Sequence, residues 1–425
     1  MRMLIKNGRV IDPANGIDAH GDLAIEAGRI LACGDIPADF SADEIIDASE
    51  QIVCPGLIDL SARLCEPGAE HRGTIASETR AAAASGITTL CVPPDTDPII
   101  DTPAVSELIH QKAEDAGFAK VVTLAALTQQ LKGEQLAEMA KLQQEGGCVG
   151  VSNARQPVKN NLIMRRAMEY AASYGLTVFL HADDAGLSGQ GCVHEGGIST
   201  RLGLDGIPES AETVAVAREL MLIEQTGVHA HFCQLSCAQS LHMIARAQHD
   251  GLPVSMGVAA HQLHLTDMDV GYFNSQCHVL PPLRSQRDRD ALRSGLGNGR
   301  ISAICSDHQP HDADAKLAPF AETEPGISAL ETLLPLSLRL VDDGVLALPD
   351  LIAKLTVEPA RILGLKRGTL GAGRRADICV FDPAQHWHVD PAQFVSAGKN
   401  SPFGGWELRG RVTHTLLNGR VVFQQ

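Results

Sequence analysis

From Ile52 to His308 the chain alternates short, almost uninterrupted apolar runs with longer stretches whose apolar positions recur at helical spacing. The runs are IVCPGLIDL, ITTLCVPP, KVVTLAAL, CVGVSN, LTVFLHADD, VHAHFCQLS, PVSMGVAAH and RISAICSDH. Between them lie ETRAAAASG, PAVSELIHQKAEDAG, EQLAEMAKLQQEG, NLIMRRAMEYAASYG, AETVAVARELMLIEQTG, AQSLHMIARAQHDG and RDRDALRSGLGNG. A run without alternation is a strand buried on both faces, and a helix after each strand is the crossover that parallel strands require. Eight units of this kind predict an α/β fold, a closed (β/α)8 barrel of TIM type. No G-x-G-x-x-G follows the first strand, which counts against an open doubly wound sheet.

The two ends have a different texture. LIKNGRVID and DLAIEAGRILACG near the start, and RADICVFD and RVTHTLLNGRVVF near the finish, are strand-like runs broken by Asn-Gly and Ala-Gly turns. Neither piece is large enough to bury a face alone. Residues 1–53 and 365–425 are therefore expected to pair into a small β-sandwich domain built from both termini, beside a barrel spanning residues 54–364.

Composition narrows the class further. A length of 425 residues supports a sizeable core, and with aromatic residues at only 4% that core rests on Ala, Val, Ile and Leu. The net charge of −16 argues against a nucleic-acid or anionic-membrane surface. MRMLIKNGRVIDP lacks the apolar centre of a signal peptide, and charges or Gly interrupt every apolar stretch before it could span a bilayer, so a cytoplasmic protein is expected. The eleven Cys show no paired zinc-ribbon or disulfide spacing and read as buried thiols of a reducing compartment.

Barrel chemistry sits at the C-terminal ends of the strands. In chain order the residues there are Ser61, Arg63 and Cys65, then Pro94 and Asp95, Asn153, His181, Gln234, and Asp307 with His308. PGLIDLSARLCEPG, VPPDTDP, LHADD, HFCQLS, VLPPLR, SDHQPH, PGISALETLLPL and VEPARILGL resemble, in order and over essentially the whole chain, the motifs of the dihydroorotase family of amidohydrolases. The resemblance implies a metal-bound hydroxide acting on a cyclic amide. Its metal, zinc, would be held by a His-x-His pair on strand one, a bridging carboxylate on strand four and His on strands five and six. An Asp on strand eight would bind metal and shuttle the proton. Metal coordination is what brings a water pKa from near 16 to about 7.

Carried onto this chain, the His-x-His pair falls on Ser61 and Arg63, the bridge on Asn153 and the strand-six ligand on Gln234. Ser is a weak ligand, Arg repels a divalent ion, and a neutral amide cannot balance two metal charges. His231, three residues before Gln234, is expected on the opposite face of its strand. His181 and Asp307 remain, fewer than the three protein ligands a catalytic site needs. The substrate-gripping positions fall on Cys65, Asp95 and Leu280, which removes attraction for a dicarboxylate and adds repulsion. Alone, His181 reads as a hydrogen-bonded interior His, Asp307 as a charge balanced by Arg63, and His308 and His311 as mouth lining, although His at the matching place in active relatives contacts substrate. Gly56, the Pro281-Pro282-Leu283-Arg284 corner and the Gly326-Ile327 start of the helix leading to Glu331 are intact.

The expectation is thus a non-catalytic member with no metal. By resemblance its partner is the catalytic chain of aspartate carbamoyltransferase, which inactive dihydroorotase-like chains support, and a homodimer is expected. Two other readings stand beside it. One is a hydrolase with a rebuilt single-metal site from His181, Asp307 and Cys65; the other is a regulatory subunit whose mouth binds a ligand.

Overall fold

The computed structural model describes residues 2–425. Eight parallel strands follow one another round a single sheet: β1 Leu57–Asp59, β2 Ile87–Val92, β3 Lys120–Ala126, β4 Gly150–Ser152, β5 Val178–Leu180, β6 Ala230–Phe232, β7 Val254–Ala259 and β8 Ala303–Cys305. The ring closes just beyond β1 and β8. Arg63 N–H donates to the His308 carbonyl at 2.9 Å, His308 N–H to the Ser61 carbonyl at 3.2 Å, and Ser306 N–H to Asp59 Oδ1 at 2.9 Å. Closure therefore lies directly beneath the residues expected to carry chemistry.

Helices α1 Ile75–Ala84, α2 Pro103–Ala116, α3 Met139–Gln144, α4 Asn161–Ser173, α5 Glu209–Thr226, α6 Ala238–His249, α7 Gln286–Gly297 and α8 Leu330–Asp342 cover the sheet. Outward residues such as Leu90, Val151, Val178 and Phe232 join the helices' apolar faces in one large core. Inward residues such as Ile58, Cys91, Phe179 and Cys305 fill the barrel. The third helix is shorter than EQLAEMAKLQQEG suggests, because Leu136 bridges back to Thr128 and draws its first residues into a loop.

The two ends form one mixed eight-stranded sheet, in which Arg2–Asp12, Ile17–Glu26, Arg29–Cys33, Glu44–Asp47 and Ile52–Pro55 join Ile378–His388, Glu407–Leu417 and Arg420–Gln424. It closes over its own core of Met3, Ile25, Val53, Ile378 and Leu416. IVCPGLIDL, read as one strand, is divided. Ile52–Pro55 pairs antiparallel with Ile378–Phe381 in the terminal sheet, and only Leu57–Asp59 enters the barrel. Gly56 makes the crossing, since a Cβ there would lie 2.3 Å from the Thr88 side chain. No helix among the described residues is long and apolar enough to cross a membrane. Eight of the eleven Cys are buried and all are free thiols, as expected of small core residues.

Candidate functional site

The mouth holds a cavity of about 440 Å³ lined by Arg63, Cys65, Asp95, Arg155, Leu280 and His311, among others. Behind the lining residues Arg63 and Arg155, Asp307 is 2% exposed, so its carboxylate must be paired. The nearest cation is Arg155, whose NH2 donates to Asp307 Oδ2 at 2.7 Å while NH1 donates to Gln309 Oε1 at 2.9 Å. Ser61 Oγ donates to Asp307 Oδ1 at 3.3 Å, and Arg63 NH1 stands 3.8 Å from the same oxygen. Arg63 spends its other donors on Asp95, with Nε at 3.0 Å and NH2 at 2.8 Å from Oδ2. Two guanidinium groups and two carboxylates thus alternate across the strand ends.

This corrects two expectations. Arg63 neighbours Asp307 but chiefly neutralises Asp95, and Asp95 is not the free repulsive charge it was expected to be. Arg155 carries the balance instead. It lies two residues beyond Asn153 in the same strand-end loop, which was the available signal.

Each remaining ligand position is taken up structurally. Asn153 Oδ1 accepts from Thr128 Oγ1 at 2.7 Å, and its Nδ2 donates to the carbonyls of Leu131 at 3.0 Å and Gln156 at 2.7 Å. The amide clamps the loops after β3 and β4, and being neutral it cannot balance the charge of a bridging pair of metal ions. Gln234, at φ +42°, turns back to Cys305, its Nε2 lying 3.8 Å from Sγ. His231 departs from expectation, because its ring packs beside Phe179 inside the barrel, 5.5 Å between centroids, with Nδ1 2.8 Å from Ser255 Oγ. It sits below the mouth.

Burial, aided by the charges of Arg155 and Arg63, pushes His181 down to about 3. Its Nδ1 has no partner, so the hydrogen-bonded interior role is only partly met. Burial lifts the Cys65 thiol to about 12, with the Glu78 charge adding to it, so a ligating thiolate is strongly disfavoured. His261, after β7, escaped the sequence reading; both its ring nitrogens are buried without partners, and burial pushes it to about 4.

His308 is not mouth lining. It is fully buried and accepts from Ala329 N–H on Nδ1 at 3.0 Å, which leaves Nε2 to donate to Glu78 Oε2 at 3.0 Å. Glu78 also accepts from Ser396 Oγ at 2.6 Å and Ala397 N–H at 3.0 Å, tying α1 and the strand-eight loop to the C-terminal segment. His311 does line the mouth, with Nε2 3.0 Å from the Pro325 carbonyl and burial pushing it to about 4. Leu280 precedes a cis Pro281 and borders both the mouth and a neighbouring cavity of about 180 Å³.

Comparison with known proteins gives this arrangement a context. A dihydroorotase-like protein of Pseudomonas aeruginosa is 51% identical over 424 residues, covering 100% of both chains. The chain belongs to the dihydroorotase family. A dihydroorotase of Geobacter sp. is 44% identical with the same full coverage of both chains. The dihydro-orotase-like family model matches residues 50–240, and an amidohydrolase family model matches residues 328–423. Among solved structures the L-hydantoinase of Arthrobacter aurescens superposes with a TM-score of 0.89 at 23% identity, covering 99% of this chain and 96% of that one, which places the fold among amidohydrolase barrels.

The zinc that the dihydroorotase resemblance implies does not fit the donors present. Among the described residues, the one trio of His, Cys, Asp or Glu whose ligand atoms lie within 4.8 Å of one another is His194, Glu209 and Asp288. Arg287 already donates to Glu209 and Asp288 there, and Arg284 NH1 lies 3.2 Å from His194 Nδ1. His181, Asp307 and Cys65 form no such group.

Proposed function

We propose that this member of the dihydroorotase family is a non-catalytic subunit of pyrimidine biosynthesis, cytoplasmic and homodimeric, that holds no zinc and supports assembly of the aspartate carbamoyltransferase catalytic chain. One observation carries the reading. Arg155 bonds Asp307 directly, with Arg63 beside it, so permanent cations stand where a metal-dependent mouth needs a divalent ion. A guanidinium can neutralise a carboxylate, but it cannot bind a water oxygen as a Lewis acid and lower its pKa. The partner and the dimer rest on the family resemblance.

The 44% identity to a protein named dihydroorotase favours a second reading, a metal-dependent cyclic amidohydrolase. One experiment separates them. Protein purified without chelators is analysed for metal and assayed in both directions of dihydroorotate interconversion with added zinc. The proposal expects metal near zero and no turnover, followed by co-purification with the carbamoyltransferase chain. One tightly held ion per chain with turnover would sink it.

A further inference from the structure

Away from the mouth, the terminal sheet lies over α1 and α8 and leaves a cavity of about 340 Å³, bordered by Glu331, Leu334, Trp387, Phe394, Arg411 and Phe423. The Trp387 indole N–H is buried and has no acceptor, although a buried Trp normally finds one. Arg411 lies 4.7 Å over the Trp387 ring and forms no ion pair among the described residues, whereas its strand neighbour Arg409 is paired with Asp342. A guanidinium held on an aromatic face has its planar fork free for an anion. Leu334, Phe394 and Phe423 supply the apolar walls.

Two carboxyls also border the cavity. Asp390 is spent locally, accepting from Ala392 N–H at 3.0 Å and Gln393 Nε2 at 2.9 Å. Glu331 accepts from Ser396 N–H at 3.1 Å, and burial pushes it up to about 7, so near neutral pH it is partly protonated and can donate to a ligand oxygen. The volume is at the lower end of small-molecule pockets.

We propose that this cavity binds a small ring-bearing carboxylate, its oxygens accepting from Arg411 and its ring lying among Leu334, Phe394 and Phe423. The site is separate from the mouth and stands or falls independently of whether the mouth is catalytic. The chain has two tryptophans, so Trp406→Phe in the full-length protein leaves Trp387 as the only indole reporter. Benzoate should change its fluorescence saturably. Arg411→Met, which keeps the stem over the ring, should weaken binding about tenfold or more. Methyl benzoate, the same ring without the charge, should bind correspondingly worse. No saturable response in the millimolar range, or equal binding by Arg411→Met or of the neutral ester, would overturn the assignment.

Discussion

Asp307 sets the energetics of the mouth. A carboxylate taken out of water is tolerated only while its partner is present, and deleting one member of a buried pair costs roughly 3–5 kcal/mol. Arg155→Met should therefore lower stability by roughly 3 kcal/mol in denaturant unfolding, because the Arg63 NH1 group at 3.8 Å is a weak substitute. Adding Asp307→Asn to that variant should restore most of the loss, since the orphaned charge goes with it. If Asp307→Asn restores nothing, Arg155 acts through packing and the pairing argument fails. Arg63→His should also destabilise, by leaving Asp95 without its two donors.

The proposed metal-free mouth rests on elements as well as on single side chains. The loop after β4 is clamped by Asn153 to the loop after β3, where Gln130 and Leu131 hold positive φ, and Gln234 faces inward only because its own φ is positive. Grafting Ser61→His with Arg63→His rebuilds the strand-one pair but leaves Arg155 as a cation over Asp307 and Asn153 as a neutral amide. The double variant should carry less than one equivalent of zinc after dialysis, as elemental analysis would record. Stoichiometric zinc in it would mean that strand one alone decides metal binding. Glu78 and His308 join α1 and the strand-eight loop to the C-terminal segment behind the mouth.

Taken whole, the molecule buries many titratable groups, and its acid stability follows from them. Burial pushes His181 and His231 to about 3, and His261, His264, His278 and His311 to about 4. Each stays neutral when folded and takes a proton on unfolding below about 6.5, so each lowers stability as pH falls from there towards 4. Asp59, raised to about 6, and Glu219 and Glu331, raised to about 7, act oppositely; their contribution is present at low pH and lost as pH rises through those values. Six histidines outweigh three carboxyls. The melting temperature should therefore drop between pH 7 and pH 5, and a scan in which it rises would show that the histidines are charged in the fold. The barrel and the order of its strands were legible in the chain because strand and helix periodicities are local, and that Ser61, Arg63, Asn153 and Gln234 stand at strand ends was legible for the same reason. Where each charge goes was not legible: Arg155 meets Asp307 across 152 residues and Glu78 meets Ser396 across 318, and Coulomb energy depends on distances that exist only once the barrel has closed. His231 inside the barrel, His308 beneath the mouth and the inward turn of Gln234 belong to the same class, being decided by backbone torsions and by packing against strands remote in sequence.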